Sequence, residues 1–203
     1  MSNILSFKAE CNRKIIHTSS IFFPILYIFL NKDIMLYIMF ISTAITLFID
    51  YNRNKNNYIS NIFNKVLGHV VRKHEKIKPM SASYLMFIST ILILLIPENM
   101  KSIAILSISY CSISDSVAAI YGMRYGRLEI INNKTLEGMF AFIVSGIILT
   151  FLFITTSVLI IDGNLFLIII APFLLSFVEL ISPMEYDNIS VPIISSLYLF
   201  IIF

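Results

Sequence analysis

Apolar residues along this chain gather into long runs separated by short polar breaks. Seven runs stand out, at residues 15–30, 34–50, 80–97, 102–122, 136–161, 165–182 and 190–203. A helix needs about 20 residues, at about 1.5 Å each, to cross a bilayer. The pattern predicts an all-α integral membrane protein, a polytopic bundle of about seven transmembrane helices forming a single membrane domain. The first run is near the lower length limit, and the last reaches about 21 Å if helical.

The connections alternate in length. Asn31-Lys32-Asp33, Pro97-Glu98-Asn99 and Asp162-Gly163-Asn164 are short polar turns, whereas 51–79, 123–135 and 183–189 are longer. Within the first long connection, Ile59, Ile62, Phe63, Val66, Leu67, Val70 and Val71 recur at helical spacing. This predicts an amphipathic helix at about 58–74. It lies either in the membrane interface, apolar face down and basic residues toward the headgroups, or on the roof of the bundle.

Composition agrees with lipid as the solvent. The 203 residues are 58% hydrophobic and 13% charged, with a mean hydropathy of +0.86. Soluble domains are about 45–50% apolar and about 25% charged. Tyr and Phe must form any interfacial aromatic belt, because Trp is absent. The basic residues Lys8, Arg13 and Lys14 precede the first run, and no small-residue cleavage site follows it, so it reads as an uncleaved membrane helix. Cys11 and Cys111 are isolated thiols, which argues against a disulfide framework or zinc site.

The net charge of +3 hides an asymmetry. Lys8, Arg13, Lys14, Arg53, Lys55, Lys65, Arg72, Lys73, Lys76, Lys78, Arg124, Arg127 and Lys134 fall on one side of the predicted bundle, and only Lys32 and Lys101 on the other. The positive-inside rule makes the richer side cytoplasmic, with the N-terminus inside. The sequons at Asn133 and Asn188 are discounted, since both then face the cytoplasm. No nucleic acid is expected as a partner; the bilayer is.

Ionisable groups inside membrane helices are costly, so each one is a functional candidate. Asp115 follows a polar strip of Ser107, Ser109, Ser112 and Ser114. It lies about 12 Å below the predicted helix end. Ala118, Ala119, Gly122 and Gly126 then make a smooth face, open either to another helix or to a phosphate chain. Asp115 itself reads either as a working carboxylate or as a buried, protonated one. Arg124 and Arg127 flank Gly126, and Lys134-Thr135-Leu136-Glu137-Gly138 opens the next helix. A lysine and arginines at a helix start suit an anion, and Glu137 beside them suits a hard cation. Positive-inside topology alone also accounts for Arg124, Arg127 and Lys134 singly.

Asp115-x-x-Ala118-x-x-x-Gly122-x-x-x-Gly126 followed by Lys134-Thr135-Leu136-Glu137-Gly138 resembles the central signature of the CTP-dependent lipid kinases. These include dolichol kinase, phytol kinase and the CTP-using diacylglycerol kinase. Further blocks resemble the family in order: Arg13-Lys14-Ile15-Ile16-His17, Asp50-x-x-Arg53, Arg72-x-x-Glu75-x-x-Lys78 leading to Ser83-Tyr84, Glu179-Leu180-Ile181-Ser182, and Asp187-Asn188-Ile189-Ser190-Val191-Pro192. The likeness spans about residues 11–195 and points to a minimal prokaryotic-type member. One departure is near Ser81, where the family often has glycine.

The resemblance implies transfer of the γ-phosphoryl group of CTP to the hydroxyl of a polyprenol, dolichol, phytol or diacylglycerol. It implies Mg²⁺ or another divalent cation on Asp115, Glu137 and Asp187, with Asp115, Lys134 and Glu137 as the catalytic set. Gly122, Arg124, Gly126, Arg127, Gly138, Arg72 and Asn188 would hold nucleotide and phosphate. Arg13, His17, Asp50, Arg53, Glu75, Lys78 and Glu179 would support them. Asp115 is either metal ligand or general base, and His17 is a second base candidate. Asp187-Asn188 reads equally as a turn before Pro192. Phosphatidate cytidylyltransferases share part of the centre, but residues 140–203 hold no His, Lys or Arg to match their ending. A transporter would place its ionisable groups nearer the midplane.

Overall fold

The computed structural model describes residues 7–55, 57–68, 71, 80–156, 165–183 and 186–203. Arg72, Glu75, Lys78 and, of the expected amphipathic helix, residues 69, 70 and 72–74 lie outside the described residues.

The chain opens with α1 (Phe7–Thr18), one 3-10 turn at Ser19–Ile21, and α2 (Phe22–Phe29). The helix begins well before the apolar run at 15–30 because α1 is amphipathic in reverse. Glu10, Arg13, Lys14 and His17 recur at i, i+3, i+4 and i+7 and are all buried, while Ile15 and Ile16 face outward. Such inversion suits a solvent that is itself apolar.

After Asn31, whose side chain accepts from the Ile34 N–H, come α3 (Lys32–Asn52) and α4 (Asn57–Val66). Helix α4 is the first part of the expected amphipathic helix, and it packs on α3. Helix α5 (Ser81–Leu95) pairs with α3, and Thr43 and Thr90 share a buried hydrogen bond of 2.8 Å across that seam.

The centre of the bundle is a continuous rod from Glu98 to Tyr125. It comprises α6 (Lys101–Ser109), a π turn (Tyr110–Ser114) and α7 (Asp115–Tyr125). Its apolar window is 78% buried, against 22% for α3, so the rod is the axis and α3 the rim. The π turn sits immediately before Asp115, and such turns re-aim side chains near functional positions.

The expected loop at 123–135 contains a small hairpin. Strands β1 (Glu129–Ile131) and β2 (Lys134–Thr135) pair antiparallel, with Ile131 opposite Lys134. Asn132 and Asn133 take φ of 55° and 59°, the left-handed pair a two-residue type I′ turn requires and asparagine tolerates. Helices α8 (Leu136–Thr155), α9 (Leu165–Ile181) and α10 (Asp187–Ile202) complete the bundle. Helix α10 begins at Asp187, so Asp187 and Asn188 form a helix's first turn rather than a connection.

The all-α expectation holds apart from that hairpin. Among the described residues, three helices are long and apolar enough to cross a membrane: α3, the Glu98–Tyr125 rod and α8. Helices α5, α9 and α10 are apolar but shorter. The outside is greasy, with Phe29, Tyr37, Phe166, Leu95 and Ile201 all more than two-thirds exposed, as fits a membrane protein.

Side-chain contacts define two ends. At one, the Lys32 ammonium donates to the carbonyls of Leu94 and Ile96, and the Lys101 ammonium to those of Ile28 and Leu30. At the other, Asp50 near the end of α3 accepts from the Met80 N–H at the start of α5. The site described next joins this second end through Ser81.

Candidate functional site

Four helices and the hairpin deliver ionisable groups to one buried region. Lys14 from α1 meets Asp115 from α7, with Nζ 2.5 Å from Oδ2 and both side chains 2% exposed. Lys134, on β2, meets Glu179, near the end of α9, at 2.7 Å, and also donates to the Glu179 carbonyl. Asp187 opens α10 and accepts from the Asn188 N–H. The charges acting on Asp187 are those of Asp115, Lys14, Lys134 and Arg13, and Lys134 also acts on Asp115. The two ion pairs and Asp187 are therefore one electrostatic cluster.

A hydrogen-bonded chain runs beside it. Asn188 donates from Nδ2 to the Ser81 carbonyl at 2.9 Å, which turns its Oδ1 toward His17. His17 Nε2 lies 2.8 Å from that oxygen, and an amide oxygen only accepts, so Nε2 carries the proton. In neutral His17, Nδ1 then keeps its lone pair, 3.2 Å from the Ser116 hydroxyl. The Ser116 hydroxyl carries one hydrogen, for either His17 Nδ1 or the Ser112 carbonyl, and Ser112 shares a bond with Ser20. The Cys111 thiol donates to Asn188 Oδ1 as well.

Arg13 joins from the same face of α1. It pairs with Glu10 at 2.6 Å and reaches the Ser81 hydroxyl at 3.3 Å. Asp50 and Arg53 form a separate pair at 3.1 Å, with Asp50 also accepting from the Ser83 hydroxyl. The Arg53 guanidinium lies 5.1 Å from the centre of the Phe63 ring, which ties α4 to this end of the bundle.

Other sequence candidates stand elsewhere. Arg124 and Arg127 are exposed, with Arg124 over the Tyr125 ring. Glu137 accepts from the Leu128 N–H at 3.4 Å, at the hairpin's entrance. The smooth glycine face is filled by α8 and its cap. A Cβ on Gly122 would lie 2.8 Å from Thr135 Oγ1, and one on Gly138 would lie 2.9 Å from the Ala118 carbonyl. Gly122, Gly126 and Gly138 thus let α7 and α8 approach, and Thr135 caps α8 by accepting from the Gly138 N–H.

Among the described residues no group of three or more His, Cys, Asp and Glu side chains is placed to hold a metal ion. Asp115 and Asp187 nevertheless supply hard oxygen donors. Mg²⁺ often binds through one or two carboxylates plus substrate phosphates, and this donor set fits that mode.

The sequence assigned no site role to Lys14, Glu10, Ser81 or Ser116. For the first two the signal was available as the polar stripe at 10, 13, 14 and 17.

A protein of Rickettsia prowazekii (strain Madrid E), uncharacterized protein RP860, is 31% identical over 146 residues, covering 72% of this chain and 71% of that protein. The chain belongs to the same family as RP860. No family model matches the chain, and no solved structure matches it.

Proposed function

We propose that this chain is a CTP-dependent kinase of a membrane lipid alcohol, acting at the cytoplasmic face. The observation that carries the reading is the pair of buried lysine–carboxylate bridges, Lys14–Asp115 and Lys134–Glu179, gathered with Asp187, Asn188 and His17. Buried ion pairs are poor stabilisers, since well-packed apolar residues often do better by about 1–4 kcal/mol. Their concentration at one end of an apolar bundle calls for a chemical use.

The positive-inside rule supports the orientation: Lys32 and Lys101 mark the far end, and the other basic residues fall to the site's side. Six or seven helices spanning the bilayer, with α4 in the interface, complete this arrangement.

Phosphoryl transfer needs in-line positioning and neutralised phosphate oxygens more than covalent help from protein. The lipid hydroxyl oxygen bonds to the γ-phosphorus, the bond to the β-bridging oxygen breaks, and CDP leaves. Lys134 and its neighbours neutralise the phosphates. Asp115, or His17 through its unprotonated Nδ1, accepts the hydroxyl proton. A divalent cation on Asp115 and Asp187 would supply further charge stabilisation; Glu137 joins only if it leaves the Leu128 N–H. Arg124 and Arg127, being exposed, meet the nucleotide from outside.

The test uses purified protein in detergent with Mg²⁺, candidate lipid alcohols, and CTP labelled at either the α or the γ phosphate. Label in the lipid from the γ position alone is the expected result, and Asp115→Asn and Lys134→Ala should abolish it. Label from the α position would assign cytidylyl transfer instead. No label from either position, across all four lipid classes, would leave a transporter or a bundle protein.

A further inference from the structure

Lys14 is as buried as Asp115, at 2% side-chain exposure, and its ammonium is spent on that carboxylate. Lys134 is likewise spent on Glu179. Beside the Arg13–Glu10 pair, the region thus holds these two lysines and three carboxylates, Asp187 being the third, with each lysine already paired. Removing either member of a buried pair strands an uncompensated charge, which is strongly unfavourable.

Two consequences follow for ligands. A bare phosphate can recruit Lys14 only by stranding Asp115. A bare divalent cation can recruit Asp115 only by stranding Lys14. A ligand that brings both charges on adjacent atoms satisfies every group at once. A polyphosphate chelating a divalent cation is such a ligand.

We propose that Lys14 and Lys134 are phosphate-binding residues held in reserve on Asp115 and Glu179, and that they change partners when a cation-chelated polyphosphate enters. This rests on the kinase reading for the identity of the polyphosphate. No covalent bond changes; the lysines turn to phosphate oxygens and the carboxylates turn to the cation. Cation and polyphosphate then bind together, each raising the other's affinity by the same factor. The closed pairs also keep either ion alone out of the apolar interior.

Equilibrium dialysis of the purified chain against labelled inorganic triphosphate and against labelled CTP, each in Mg²⁺ or in EDTA, tests this. The wild-type chain should bind at least tenfold more tightly in Mg²⁺. Asp115→Asn frees Lys14, so triphosphate should bind in EDTA at least tenfold more tightly than to wild type. Lys14→Met frees Asp115, so Mn²⁺ alone should bind, read as loss of the free-ion paramagnetic resonance signal, while triphosphate binding weakens. The double variant strands neither charge and should lose both gains. If Asp115→Asn does not fold, Glu179→Gln gives the same reading on Lys134.

A purely structural bridge predicts that the single variants weaken all binding alike. That result overturns the proposal, as does equal wild-type binding in Mg²⁺ and EDTA, or none of either probe. Linked binding without γ-phosphoryl transfer to lipid removes only the kinase assignment. Transfer without linkage removes only the exchange.

Discussion

Lys14 and Asp115, 101 positions apart in the chain, stand 2.5 Å apart with almost no access to solvent. That bridge fixes α1 against the central rod and sets the charge balance of the region around it.

The bridge gives a double-mutant test of stability. Lys14→Met leaves Asp115 buried and alone, and Asp115→Asn does the same to Lys14. Each should cost about 3–5 kcal/mol, because the stranded charge loses its compensation. The double variant replaces the pair with neutral groups and should recover most of that loss. Thermal unfolding in detergent micelles would measure all three. Additive losses in the double variant would mean that the two charges do not depend on each other.

The α7–α8 seam is tested by adding single methyl groups. A Cβ on Gly126 would come within 2.2 Å of the Gly122 carbonyl, which cannot swing away. Gly126→Ala should therefore cost about 1–3 kcal/mol, as overpacking does. At Gly122 the obstacle is the Thr135 hydroxyl, 2.8 Å from the added Cβ. Thr135→Ala removes that obstacle and loses the cap, at about 1 kcal/mol. Gly122→Ala with Thr135→Ala should then cost less than the sum of the two, by about 0.5 kcal/mol or more.

How far the sequence could be read differs by residue. Apolar periodicity located α3, the rod and α8 because long helices in lipid leave a long signal. Asp115 was legible because an acid inside an apolar run has no cheap explanation. Lys14 was not, because counting charges for topology treats every lysine near a helix end as a solvated marker. The stripe it forms with Glu10, Arg13 and His17 at helical spacing carries the signal, and the register of α1 turns that stripe inward. The glycine face was ambiguous for a similar reason: small residues admit a helix or a phosphate equally, and Thr135 settles its occupant in this structure. The hairpin was missed because its strands are two and three residues long, too short for an alternating pattern.

Asn188 should control the His17 tautomer. Its amide donates to the Ser81 carbonyl and accepts from His17 Nε2, so it links α10 to α5 and α1 together. Asn188→Ala strands the His17 N–H, at about 1–3 kcal/mol. Nitrogen-15 spectra of ring-labelled protein should show the proton on Nε2 in the wild-type chain and a tautomer mixture in the variant. Protonation at Nδ1 in the wild-type chain would contradict the assigned hydrogen bonds and exclude His17 Nδ1 as a proton acceptor.

The two lysines at the far end are engaged, and that bears on orientation. Lys32 donates to the last carbonyls of α5 at 2.9 Å, and Lys101 to those at the end of α2 at 3.2 and 3.3 Å. Helix C-termini carry partial negative charge, so each ammonium neutralises a helix end. Lys32→Met and Lys101→Met should each cost about 1 kcal/mol in micelle unfolding. Neither should alter topology, because the charge excess lies wholly at the opposite end. Single cysteines in place of Asn31 and Tyr125 read this directly in intact cells, on a background with Cys11 and Cys111 replaced by Ser. A membrane-impermeant thiol reagent should label the Asn31→Cys protein and spare the Tyr125→Cys protein. Labelling of Tyr125→Cys from outside would place the buried bridges away from cytosolic nucleotide, and the kinase proposal would fall with it.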